Sequence, residues 1–81
     1  MAVKLAITNR RFPDSSALEM INYDASLHIL EARFINGHTY QYKKVPVSKW
    51  EAFIKLIDGG GSAGEFINTE IKPYFLYEQV D

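Results

Sequence analysis

The sequence predicts an α+β domain: a three- to four-stranded antiparallel β-meander followed by two C-terminal α-helices packed on one face. Three observations lead there. Apolar and polar residues alternate with period 2 through successive stretches between Ala17 and Lys44, interrupted at turn-forming residues. Asn36-Gly37 falls between two of those stretches, and Asn-Gly in that setting is the strongest short-range hairpin signal. Beyond Val45-Pro46 the apolar spacing becomes helical, and a Ser-x-x-Glu pattern occurs at Ser48–Glu51 and again at Ser62–Glu65.

Bulk properties set the frame for these elements. A chain of 81 residues holds one domain, near the lower end of what folds without staples. With no cysteine, a disulfide framework and a thiolate metal site are both excluded. The 47% hydrophobic and 14% aromatic content supports a compact core and is too apolar for disorder. A net charge of −1 and a pI near 6.1 argue against a strongly electrostatic nucleic-acid binder. No apolar run approaches the roughly 20 residues that span a bilayer, and Met1 to Thr8 is too short and too weakly basic for a signal peptide. The expectation is a soluble, cytoplasmic protein of bacterial or phage type.

Taken in order, Val3, Leu5 and Ile7 alternate with smaller or polar residues, a candidate N-terminal edge strand. Asn9 to Asp14 breaks that pattern at Pro13, and Arg10 and Arg11 read as solvated loop charges. Ala17 to Tyr23 is the next strand, with Leu18 and Met20 on one side and Ile21 and Tyr23 on the other. Asp24-Ala25-Ser26 turns the chain, because Asp and Ser side chains bond nearby backbone amides. Leu27 to Ile35 and His38 to Lys44 complete the meander.

Loop length in the Asn-Gly hairpin decides which residues share a face. A two-residue turn pairs Phe34 with Thr39 and sends Tyr40 and Tyr42 to the side opposite Leu30, Ala32 and Phe34. A three-residue loop, Ile35-Asn36-Gly37 with Gly37 left-handed, pairs Phe34 with His38, Ala32 with Tyr40 and Leu30 with Tyr42. The second register gathers the apolar residues on one face and leaves Glu31, Arg33, Thr39, Gln41 and Lys43 on the other. Since a one-residue slip inverts that sorting, the pattern favours the three-residue loop.

Proline cannot donate to a ladder, so Val45-Pro46 closes the sheet. Ser48 is read as the N-cap of a helix bearing Trp50, Phe53, Ile54 and Ile57, which Gly59 stops. Gly59-Gly60-Gly61 lets the chain turn tightly into a second helix, capped at Ser62, carrying Phe66, Ile67 and Ile71 and ended by Pro73. The loop follows a helix and lacks the Gly-Lys-Ser/Thr of a phosphate-binding loop, so it is read as a connection. Tyr74 to Val80 is apolar enough for a final strand or an ordered tail. The expected core includes Phe34, Trp50, Phe53, Ile54, Ile57, Phe66 and Ile71.

No catalytic set emerges. His28 and His38 lack a nucleophile or carboxylate at a motif spacing, Asp14 and Asp24 sit in turn contexts, and no three donors are spaced as metal ligands. The chain is therefore expected to be non-enzymatic and to carry no cofactor or metal. Tyr40 and Tyr42, beside Lys43 and Lys44, match the paired sheet aromatics on which RNA bases stack, although the favoured register turns both rings toward the core.

The ordered set Ser15-Ser16, Tyr23-Asp24, Leu30-x-Ala32-x-Phe34, Asn36-Gly37, Tyr40-x-Tyr42, Val45-Pro46, Ser62-x-Gly64-x-Phe66-Ile67-Asn68 and Ile71-Lys72 resembles the KTSC domain. That family is named for its place at the C-terminus of some lysyl-tRNA synthetases and also occurs as small stand-alone bacterial proteins. The resemblance divides the chain into an N-terminal extension with the candidate edge strand (1–14), the KTSC-like domain (15–75) and a C-terminal tail (76–81). It implies RNA as a ligand, through the synthetase association and the central Tyr-x-Tyr. The expected function is a small non-catalytic binding module for RNA, with Arg33, Tyr40, Gln41, Tyr42, Lys43 and Lys44 as candidate ligand-binding residues. If the tyrosines serve the core, the contact surface moves to the other face, around Arg33, Gln41 and Lys43. The alternative is a protein-interaction adaptor or inhibitor, phage- or mobile-element-encoded, using the outer sheet face or the Val3–Thr8 edge. No membrane partner is expected, and both monomer and homodimer are compatible with the sequence.

Overall fold

A computed structural model describes residues 9–80. The candidate strand at Val3–Thr8 lies outside the described residues. Within them the chain forms β1 (Leu18–Asp24), β2 (Ile29–Phe34), β3 (Thr39–Tyr42), α1 (Val47–Asp58), α2 (Ala63–Phe66), a π-helix (Ile67–Ile71) and β4 (Tyr77–Gln79). The four strands make one antiparallel sheet in the order β1-β2-β3-β4. Upstream of β1, Arg11 forms a single antiparallel bridge to Ile21, and the Asn9 side-chain amide donates to the Tyr23 carbonyl.

The two hairpins follow from their turn residues. Asp24 Oδ1 accepts from the Ser26 hydroxyl and from the Ser26 and Leu27 amides, closing the β1–β2 turn. The Ser26 hydroxyl, and then those amides, hold the Asp24 carboxyl below its usual range. In the β2–β3 hairpin Phe34 N donates to His38 O and Gly37 N to Phe34 O, with Gly37 at φ +93°. Ala32 faces Tyr40 and Leu30 faces Tyr42, the register of the three-residue loop.

β1 departs from simple alternation. Leu18 pairs with Phe34 whereas Met20 pairs with Arg33, so a bulge at the exposed Glu19 absorbs one residue. Leu18 consequently joins Ile21 and Tyr23 on the helix-facing side, rather than pairing with Met20 as the alternation predicts. These three, with Leu30, Ala32, Tyr42 and Val45 from the sheet side and Trp50, Phe53, Phe66, Ile67 and Ile71 from the helices, form the core. Phe34, Ile54 and Ile57 pack against it half-buried. Trp50 stacks on Tyr23 at 5.4 Å and meets Phe53 edge-on, and Phe53 stacks on Phe66 at 4.6 Å. The Tyr23 hydroxyl, buried with its ring, donates to Val45 O at 2.6 Å.

The helices begin differently from one another. Ser62 Oγ accepts from Glu65 N, so the expected cap is present on α2. Ser48 does not cap α1. Pro46, extended at φ −70° and ψ 155°, leads straight into the helix and its carbonyl accepts from Lys49 N, which leaves Ser48 inside the first turn. Gly60 takes φ +85° in the connection. A Cβ on Gly64 would stand 2.9 Å from that of Ala17, so glycine there lets α2 press onto the chain entering β1. Past Phe66 the helix widens: Lys72 N donates to Ile67 O, a π-type i→i+5 bond. After Pro73 the chain returns to the sheet as β4 beside β3. None of the helices among the described residues is long and apolar enough to cross a membrane.

The far face of the sheet is less open than its polar sequence suggests. Asn22, Glu31, Gln41 and Glu78 align across the four strands, and Asn22, Glu31 and Gln41 are buried. Gln41 Nε2 donates to Glu31 Oε2 at 2.9 Å. The centre of that face is thus a satisfied polar layer, and Gln41 is 1% exposed.

Candidate functional site

A concave site lies where the β2–β3–β4 end of the sheet meets the π-helix. It is a pocket of about 220 Å³, with Phe34, Tyr40, Tyr42 and Tyr77 from the sheet, Asn36 from the hairpin loop, and Asn68 and Lys72 from the helical segment. Each component is set by its element. The three-residue hairpin loop places Tyr40 and Tyr42 on the helix-facing side. β4 pairs Tyr77 with Tyr42, bringing a third tyrosine to the same rim. In the π-helix, Ile67 and Ile71 bury themselves one turn apart, while Asn68 and the C-terminal flanking residue Lys72, each one residue further on, reach the pocket.

The rings form a continuous aromatic wall. Tyr40 meets Phe34 edge-on at 5.7 Å and Tyr77 edge-on at 5.9 Å, and Tyr77 tilts against Tyr42 at 5.3 Å. Tyr42 is buried, Tyr40 half-buried and Tyr77 44% exposed, so the wall grades from core to solvent. Burial, and then the neighbouring Tyr77 and Tyr40, push the Tyr42 hydroxyl up to a pKa of about 12. Among the described residues Lys72 is the charged side chain that lines the pocket, and no carboxylate does. Such a site can hold a flat ring against aromatic edges, offer two side-chain amides to its polar atoms, and place a cation at its mouth. Its size, below the roughly 300–1,000 Å³ of drug-sized ligand pockets, suits a single ring system.

Of the six residues that the sequence offers as ligand-binding candidates, the structure brings Tyr40 and Tyr42 together here. Arg33 is exposed on the far face. Gln41 is buried against Glu31, which removes it from any solvent contact surface. Lys43 lies 3.3 Å from the Glu78 carboxylate. Lys44 is exposed in the connection to α1, at φ +58°. His38 Nδ1 pairs with the Gln79 side-chain amide at the exposed rim. No group of three metal-binding side chains converges among the described residues.

Asn68, Lys72, Tyr77 and Asn36 are the lining residues that sequence reasoning passes over as site members. Asn68 and Lys72 stand in the motif Phe66-Ile67-Asn68 and Ile71-Lys72, where a spacing of four marks a shared helical face. Tyr77 carries no comparable signal, since its strand is three residues long.

The family model of the KTSC domain matches residues 14–75. The chain is 31% identical over 68 residues to lysine–tRNA ligases from Trichormus variabilis and from a Nostoc species, covering 84% of this chain in each case. It spans 11% of the length of those ligases. Among solved structures it is similar to a KTSC domain protein from Yersinia pestis, with a TM-score of 0.77 and 32% identity over 90% of this chain and 97% of that one.

Proposed function

The chain belongs to the KTSC domain family, and from that membership we propose that it is a non-catalytic binding module for single-stranded RNA whose contact site is the aromatic pocket. The observation that carries the proposal is the convergence of Tyr40 and Tyr42 with Asn68 and Lys72, residues remote in sequence, around one ring-sized cavity. A base placed there stacks or edges against Tyr40 and Tyr77, the Asn36 and Asn68 amides face its polar edge, and Lys72 meets a phosphate. The similarity to proteins named as lysine–tRNA ligases points to the same ligand class. With a net charge of −1 the module relies on stacking more than on electrostatics, so its affinity is modest.

Anisotropy titration of a fluorescein-labelled six-nucleotide single-stranded RNA at low salt tests the reading. Binding is expected to weaken as salt rises, and Tyr40→Ala is expected to weaken it by about 1–3 kcal/mol with an unchanged circular dichroism spectrum. Absence of binding at low salt overturns it. The second reading, a protein-interaction adaptor or inhibitor, rests on exposed apolar side chains such as Phe12 and Leu76. A specific partner protein, captured from lysate and retained after nuclease, is its signature.

A further inference from the structure

We infer that the site takes two successive nucleotides, with Tyr74 as a second stacking platform and Lys72 at the phosphate between them. This rests on the RNA reading of the aromatic pocket. Beside that pocket lies a second, shallower depression of about 320 Å³, lined by Lys72, Pro73, Tyr74, Phe75, Leu76 and Tyr77. Lys72 and Tyr77 line both cavities, so they form the ridge between them.

Tyr74 is 70% exposed and Leu76 79%, on either side of Phe75 in the segment that carries the chain from the π-helix to β4. The fold does not use the Tyr74 ring as core, yet holds its backbone firmly. Tyr74 N and Phe75 N both donate to Ile71 O, Pro73 restricts the preceding backbone angle, and Phe75 packs against the core. Lys49 Nζ sits 5.9 Å from the Tyr74 ring centroid while pairing with Glu70 at 3.1 Å, which steadies the ring from one side. A solvent-facing aromatic on a braced backbone is preorganised for stacking, because little freedom is left to lose on binding.

Charge selects the occupant. Among the described residues neither depression is lined by a carboxylate, and Lys72 stands on the ridge that they share. Two flat apolar surfaces separated by one cation match two bases joined by one phosphodiester. An apolar peptide would leave the Lys72 charge without a counterpart.

The test is a ¹H–¹⁵N NMR titration of the full chain with uridine 5′-monophosphate, the dinucleotide UpU and the six-nucleotide RNA. UpU is expected to bind roughly tenfold more tightly than the mononucleotide, as one added stacked base gives. Tyr74→Ala is expected to bring UpU to the mononucleotide level while leaving the mononucleotide unchanged. Lys72→Gln is expected to lower the salt slope of UpU binding by about 0.7, the value of one phosphate on a single strand. Equal affinities for the two ligands, with Tyr74→Ala silent and the six-nucleotide RNA still dependent on Tyr40, overturn the two-nucleotide site and leave the RNA reading standing. No binding by any of the three ligands overturns both.

Discussion

Tyr42 is a buried tyrosine held at a pKa of about 12, mainly by burial and then by Tyr77 and Tyr40. In the unfolded chain its hydroxyl ionises near the ordinary value of about 10. Between those two values the unfolded state binds fewer protons than the folded one, so stability falls as pH rises through that window. Tyr23 adds in the same sense, raised by burial and then by Asp24. Urea unfolding at pH 9 and pH 11 should show a smaller loss for Tyr42→Phe than for the wild type, by up to about 1.4 kcal/mol per pH unit. Equal losses in the two proteins would mean that the Tyr42 hydroxyl reaches solvent. At this scale the sequence was legible in part. Tyr40 and Tyr42 stand out as a pair, but burial of Gln41 against Glu31 is a property of the assembled sheet that polar alternation does not announce.

Among the elements, the β2–β3 hairpin was legible because its side chains repeat with period 2, so only one register gathers Leu30, Ala32, Phe34, Tyr40 and Tyr42 on one face. The bulge at Glu19 was not: it adds one residue to β1, and nothing local distinguishes that residue from an ordinary outward-facing one. The Ser48–Glu51 pattern is sound in isolation, but Pro46 starts the helix earlier. The π-turn also escapes helical spacing, since Ile67 and Ile71 serve an α-helix equally well. Gly64 permits a test of how closely the second helical segment must sit. A Cβ there would come within 2.9 Å of Ala17 Cβ. Gly64→Ala, which would stabilise an open helix, is expected instead to destabilise by about 1–3 kcal/mol through overpacking. Chemical denaturation decides, and a gain in stability would show that the segment has room to move away.

For the whole molecule, Trp50 joins the layers, stacked on Tyr23 of the sheet and edge-on to Phe53 within α1. Trp50→Ala should lower stability by about 3–5 kcal/mol. That is a large share of the roughly 4–12 kcal/mol expected at 0.05–0.15 kcal/mol per residue for this length. Melting like the wild type would show the ring to be peripheral. The fold was readable at this scale because meander, turn and helix signals agree with one another. The pocket was not, because it forms only when the chain returns as β4 and sets Tyr77 beside Tyr40 and Tyr42, opposite Asn68 and Lys72. The proposed RNA contact is confined to this pocket. Chemical-shift mapping of the six-nucleotide RNA on the ¹⁵N-labelled chain measures that directly. The largest shifts are predicted at Tyr40, Asn68, Lys72 and Tyr77, whereas shifts centred on Arg33 and Lys43, or none at all, would contradict it.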